Sequence, residues 1–171
     1  MAKKSRITII MGSDSDLPTM SETSKVLGGF GISCDVRIMS AHRSPNDVMK
    51  FAKYARKNGV EVIIAGAGGA AHLAGVIASH TTLPVIGVPM ETKELKGVDS
   101  LLSTVQMPSG IPVATVAIGK TGAKNAAYLA MEILGLKDKA VEKRLIELKR
   151  SLVEGIRKKN AVLRKSGLSA A

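Results

Sequence analysis

Aromatic side chains are nearly missing from this chain: they make up 2% of 171 residues, with two Phe, two Tyr and no Trp. That excludes a core built on rings, and it argues against stacking of nucleic-acid bases. The core has to come from Ile, Val, Leu, Met and Ala, with helices approaching closely through Ala and Gly. Cysteine is reduced to Cys34, so an internal disulfide is impossible. A lone thiol suits a reducing compartment, and the expected location is the cytoplasm. Cys34 itself reads as a small buried hydrophobe in a strand. Histidine occurs only at 42, 72 and 80. His72 and His80 stand too far apart to be ligands on adjacent helical turns, so no metal is expected. No apolar run reaches the roughly 18–20 residues of a membrane span. The first six residues are charged and lead into a strand, unlike a signal peptide.

What is present describes a globular protein. Apolar residues make up 45% and charged residues 23%, enough for one domain with a sizeable core. A single domain over 1–171 is expected, with an α/β core at 6–136, a C-terminal amphipathic helix at 137–165 and a disordered end at 166–171. The net charge is +11, but residues 1–6 hold three of the positive charges and residues 137–171 a net of +7, leaving the body at +1. A nucleic-acid protein would place basic residues in its central motif. The basic end reads instead as a solvated helix that packs on another subunit.

Five short apolar runs alternate with helical patterns. The strands are expected at Arg6–Met11, Ser33–Met39, Val60–Ala65, Leu83–Val88 and Val113–Ala117. The helices are expected at Leu17–Leu27, Pro45–Lys57, from Leu73 to His80, briefly within 91–112, and at Ala123–Leu134 and Lys139–Arg164. This alternation implies βαβ units and a mainly parallel sheet. The expected architecture is a flavodoxin-like three-layer α/β sandwich, with ligand at the carboxyl ends of the strands.

Three strand ends carry unusual loops. Gly12-Ser13-Asp14-Ser15-Asp16 offers hydroxyls and N–H groups for a phosphate and carboxylates for ribose hydroxyls, although Ser and Asp also cap ordinary helices. Ser40-Ala41-His42-Arg43-Ser44-Pro45 precedes a helix whose free N–H groups attract anions. There Ser44 suits the cap and Pro45 the first turn. Arg43 adds a non-titrating fork of donors and His42 a group that moves protons near neutral pH. The same six residues also suit a plain capped helix with a surface Arg and His. The third loop, Gly66-Ala67-Gly68-Gly69-Ala70-Ala71-His72-Leu73, lets a flat ligand approach the backbone. Its spacing only loosely fits a dinucleotide fingerprint. It follows the third strand, and no acidic residue stands at the required distance, which counts against NAD. No Gly-x-Ser-x-Gly elbow nominates a serine nucleophile. His80 reads as an ordinary helix-end residue. The residues together point to a phosphate-bearing small molecule, with His42 as proton shuttle and Arg43 on the anion.

These three motifs occur in this order, followed by Gly97-Val98-Asp99-Ser100-Leu101-Leu102-Ser103 and Val105-Gln106-Met107-Pro108-Ser109-Gly110-Ile111-Pro112-Val113. The set resembles the bacterial-type 5-(carboxyamino)imidazole ribonucleotide mutase family of purine biosynthesis, over about residues 7–135. The resemblance implies a flavodoxin-like subunit in a homo-octamer, with no cofactor. It implies conversion of 5-carboxyamino-1-(5-phosphoribosyl)imidazole to 5-amino-1-(5-phosphoribosyl)imidazole-4-carboxylate. The carboxyl group leaves nitrogen as carbon dioxide, is trapped in a closed site and is taken up by the ring carbon. By motif, His42 is the acid/base. Ser13, Ser15, Ser40 and Arg43 hold the phosphate, and Asp16 the ribose. The backbone of Gly68, Gly69, Ala70 and Ala71 borders the base and carboxylate, with His72 near. Ala41 and Leu73 complete the substrate-binding set. A sister branch, the aminoimidazole ribonucleotide carboxylases, takes carbon dioxide directly and carries Lys-Gly where this chain has Arg43-Ser44. Asp14 departs from the family pattern, in which Lys is common, at a position expected to face solvent. A nucleotide-binding module without chemistry is the alternative of a different class.

Overall fold

The computed structural model describes residues 5–166. Of the residues 166–171 expected to be disordered, 167–171 lie outside the described residues, and Ser166 caps the end of the last helix. The elements run β1 (Ile7–Met11), a 3-10 turn (Asp14–Asp16), α1 (Leu17–Gly29), β2 (Cys34–Ile38), α2 (Pro45–Ala55), β3 (Val62–Ala67) and α3 (Leu73–Ala78). They continue with β4 (Val85–Pro89), α4 (Val98–Val105), β5 (Ala114–Thr115), α5 (Gly119–Gly135) and α6 (Lys139–Lys165). The five strands form one sheet in the order β2-β1-β3-β4-β5, and every pairing is parallel. This is the flavodoxin-like order, with its switch point between β1 and β3.

β1 and β4 are buried along their whole length and β3 is buried at all but its last residue, as apolar runs covered on both faces require. Their side chains alternate between two cores. Ile7, Ile9, Met11 and Ile64 pack against Met20 and Leu27 of α1, the alanines of α5, and Val141 and Leu145 of α6. Ile10, Ile63 and Val85 face Val48 and Ala52 of α2 and Leu73 and Ile77 of α3. The shortage of rings is met by close approach: Ala123, Ala126, Ala127 and Ala130 are all 0% exposed, and the Thr23 hydroxyl of α1 donates to the Ala123 carbonyl at 2.8 Å. At Gly122 a Cβ would lie 1.6 Å from the Ala117 carbonyl oxygen, so only glycine fits.

β5 is shorter than its sequence suggests. It pairs on one side only, through Ala114 and Thr115, and apolar type alone does not extend an edge strand. Cys34 is half-buried in β2, packed against the first core. The C-terminal helix is 27 residues long, about 40 Å at 1.5 Å per residue. Asp138 caps it by accepting the N–H groups of Ala140 and Val141 and is held by Arg6 at 2.7 Å. Beyond Leu148, which is half-buried, its apolar residues, including Leu152, Ile156 and Val162, are exposed. No helix among the described residues is long and apolar enough to cross a membrane.

Candidate active site

The carboxyl ends of four strands lie level: Met11 is in register with Ile38 and Gly66, and Gly66 with Val88. The loops that follow meet over one cavity of about 540 Å³, within the roughly 300–1,000 Å³ usual for small-molecule sites.

After β1, the Gly12 N–H is held by the Gly66 carbonyl at 3.1 Å. The chain then makes a tight 3-10 turn over Asp14–Asp16. Ser13 caps the turn by accepting the Ser15 N–H at 3.3 Å. Asp14 is exposed and does not line the cavity, whereas Ser13, Ser15 and Asp16 do. Burial raises the Asp16 carboxyl above its ordinary value, against opposing hydrogen bonds from Ser13 and Ser15.

After β2 the loop is closed on itself. Ser44 stands at the N-cap of α2, but its hydroxyl does not cap the helix. It accepts the Ser40 N–H at 3.0 Å and donates to the Ser40 carbonyl at 3.2 Å. The Ser40 hydroxyl accepts the Arg43 N–H at 3.1 Å. Arg43 reaches across to the first loop, where Nη2 donates to the Gly12 carbonyl at 2.9 Å. Among the described residues it is the one Lys or Arg lining the cavity. Its neighbour His42 points the other way, toward the third loop. There His42 Nε2 and His72 Nδ1 lie 2.9 Å apart, with the rings edge-to-face at 86°. One nitrogen donates and the other accepts, so the two rings cannot both be imidazolium while the contact holds.

The third loop does not present all its residues to the cavity. Gly68, Ala70, His72 and Leu73 line it, as does Ala41 from the second loop. Gly69 and Ala71 do not: Gly69 turns away at φ 65° with its N–H bonded to Ser100 Oγ, and Ala71 is buried. The sequence reading missed a fourth contributor, Met90, Glu91 and Thr92 after β4. The available signal was positional, since the carboxyl-end rule applies to β4 as to its neighbours. His80 lies outside the cavity, bonded to the Val76 carbonyl at 2.9 Å.

A doubly wound parallel sheet with loops gathered at its switch point, one arginine and two touching imidazoles define a flavodoxin-like protein built around a small-molecule site. Comparison with known proteins narrows that class. The chain belongs to the AIR carboxylase family, which it matches over residues 6–154. It is 53% identical over 166 residues to the N5-carboxyaminoimidazole ribonucleotide mutase of Pyrococcus horikoshii, covering 97% of this chain and 93% of that one. To the enzyme of the same name from Thermotoga maritima it is 52% identical over 162 residues, covering 95% and 94%. The crystal structure of Treponema denticola PurE resembles it with a TM-score of 0.84 at 30% identity, covering 92% of this chain and 97% of that one.

Proposed function

We propose that this protein is an N5-carboxyaminoimidazole ribonucleotide mutase of purine biosynthesis, an isomerase that moves a carboxyl group within its substrate. The observation that carries the site assignment is the divergence of two adjacent side chains. Arg43 is turned to the Gly12 loop and His42 to His72, at 2.9 Å in each case. One loop thus offers a cation to one end of a substrate and a proton carrier to the other.

In this assignment Arg43, Ser13, Ser15 and Ser40 hold the phosphate, and Asp16 a ribose hydroxyl. Ala41, Gly68, Ala70 and Leu73 border the rest, with Gly69 and Ala71 shaping the loop from behind. The bond from the exocyclic nitrogen to the carboxyl carbon breaks, giving carbon dioxide and returning a proton to nitrogen. The ring carbon then forms its bond to the trapped carbon dioxide and releases its own proton. His42 gives the first proton and takes the second, so it ends as it began. His72 fixes the imidazole's orientation between the two transfers. Recapture requires that carbon dioxide be held close and water kept out. His42 and Arg43 are exposed in the single chain, so a second copy covering the mouth would serve the chemistry. The unpartnered apolar side of α6 supports such association, and we assign the octamer that the sequence resemblance implies. We assign the enzyme to the cytoplasm, as its single thiol suits.

Incubation with the carboxyamino substrate, and separately with aminoimidazole ribonucleotide plus bicarbonate, tests the proposal. Rapid turnover of the first is expected. Rapid turnover of the second alone would identify a carboxylase, and binding without turnover of either would identify a nucleotide-binding module.

A further inference from the structure

We infer that Ser100 is a positioning residue for this reaction: from α4, outside the cavity lining, it holds the glycine-rich loop in the conformation that meets the migrating carboxyl group. The inference rests on the mutase proposal above.

Ser100 is fully buried in the first turn of α4. Its Oγ accepts the Gly69 N–H at 2.9 Å. The single hydroxyl proton of Ser103, three residues on and on the same helix face, is shared between the Asp99 carbonyl at 2.7 Å and, as the longer branch, the Gly69 carbonyl at 3.2 Å. The Gly69 N–H is therefore held firmly by a buried hydroxyl of α4 and its carbonyl more weakly by a second, at a residue whose φ of 65° only glycine adopts readily. The helix is itself anchored. Thr92, from the cavity wall, donates to Asp99 at 2.8 Å and accepts the Gly97 N–H at 3.1 Å.

The grip has two consequences inside the cavity. With the Gly69 N–H engaged, those of Gly68 and Ala70 on either side find no acceptor among the described residues, and both residues are exposed at the cavity. Backbone N–H groups assist a carboxylate as it forms only if they are fixed beforehand. The grip also extends along the chain. Ala71 N–H is held by the Gly69 carbonyl at 2.8 Å and His72 N–H by the Ala70 carbonyl at 2.9 Å. Releasing Gly69 therefore disturbs His72, the partner of His42. The phosphate end of the cavity depends on other loops, so the effect should fall on the chemical step and spare nucleotide binding.

The test compares Ser100→Ala and Ser103→Ala in the full chain. Hydrogen exchange by mass spectrometry, without substrate, should show exchange in the peptide covering 66–73 about tenfold faster in Ser100→Ala. Unchanged exchange would overturn the clamp whatever the reaction. In steady state kcat should fall by at least about tenfold, as a displaced positioning loop can produce, with KM within about threefold. An unchanged kcat, or a loss confined to KM, would overturn the positioning role. If Ser100→Ala does not fold, Ser103→Ala carries the same two readouts with the same expected directions. A parent protein that protects Gly69 but leaves the carboxyamino substrate unturned would refute the mutase proposal and not the clamp.

Discussion

Replacing Arg43 by alanine isolates the phosphate-binding role. The side chain is exposed, and its Nη2 bond to the Gly12 carbonyl is 2.9 Å long. Truncation leaves the backbone ring of Ser40 and Ser44 in place, at 2.9 Å for Ser44 N–H to the Ser40 carbonyl. The variant should fold, with Tm within about 1–2 °C of the parent, as for a surface change costing no more than roughly 0.5 kcal/mol. Binding should respond far more. Two unit charges 4 Å apart interact by about 1 kcal/mol in bulk water and about 4 kcal/mol at the effective dielectric near a protein surface. An open cavity lies between these limits, and a doubly charged phosphate raises the figure, so the expected loss is about 2–3 kcal/mol. That is roughly 30–150-fold in Kd. Arg43→Lys restores the charge without the fork and should recover about half, leaving a deficit of roughly 5–10-fold. Calorimetric titration with aminoimidazole ribonucleotide and with its dephosphorylated nucleoside separates the cause. Nucleoside affinity should be the same in parent and variant. If both ligands weaken equally, or neither does, Arg43 is not the phosphate's partner.

Other perturbations test the remaining assignments. His42→Asn should lower kcat by about 10²–10⁴-fold, the range for a lost general acid/base, while nucleotide affinity measured by titration stays within a few-fold; wild-type turnover would exclude His42 as the shuttle. Asp138→Asn keeps the cap on α6 but removes the charge opposite Arg6. The hydrogen bond from Arg6, above all, holds the Asp138 carboxyl below its ordinary value. Its stabilisation is therefore complete above the ordinary carboxylate range and lost as pH falls through the depressed folded value. Thermal scans should show the variant melting earlier at pH 7 and the difference shrinking as pH falls below the ordinary carboxylate range and through the depressed folded value; a gap independent of pH would refute the charge pairing. Gly122→Ala drives a Cβ to 1.6 Å from the Ala117 carbonyl oxygen. Because the obstacle is backbone, the cost should reach or exceed the upper end of about 1–3 kcal/mol, a fall in Tm of roughly 6–12 °C. An unshifted denaturation midpoint would mean that α5 tilts away freely.

The fold was legible where burial on both faces forces an unbroken apolar run, as in β1, β3 and β4. It was less so at the edge. Val113 to Ala117 has strand character throughout, yet only Ala114 and Thr115 pair, because position in the sheet is set by tertiary contacts. Helix α5 begins at Gly119, earlier than expected. Within its first turn, Gly122 is what admits the Ala117 carbonyl. In the cavity, Gly12, His42 and Gly68 belong to loops whose composition departs from ordinary turns. Met90, Glu91 and Thr92 have no such signature and become visible only when the strand ends are aligned. Ser44 has the residue type and position of a cap, but its hydroxyl meets the Ser40 N–H instead. Local sequence offers both partners, and only the closed loop decides between them.

The level strand ends also govern when the cavity comes into existence. The loops are brought together by pairings such as Ile7 with Cys34 and Ile7 with Val62, which join distant parts of the chain. Such non-local parallel contacts form slowly, and a slip of one residue would send every side chain of a strand to the wrong face. A fragment ending before β3 would have the Gly12 turn without the Gly66 carbonyl that holds it, and His42 without His72. Competence thus belongs to the finished sheet. During refolding, turnover can return no earlier than the pairing of β1, β2 and β3 in register.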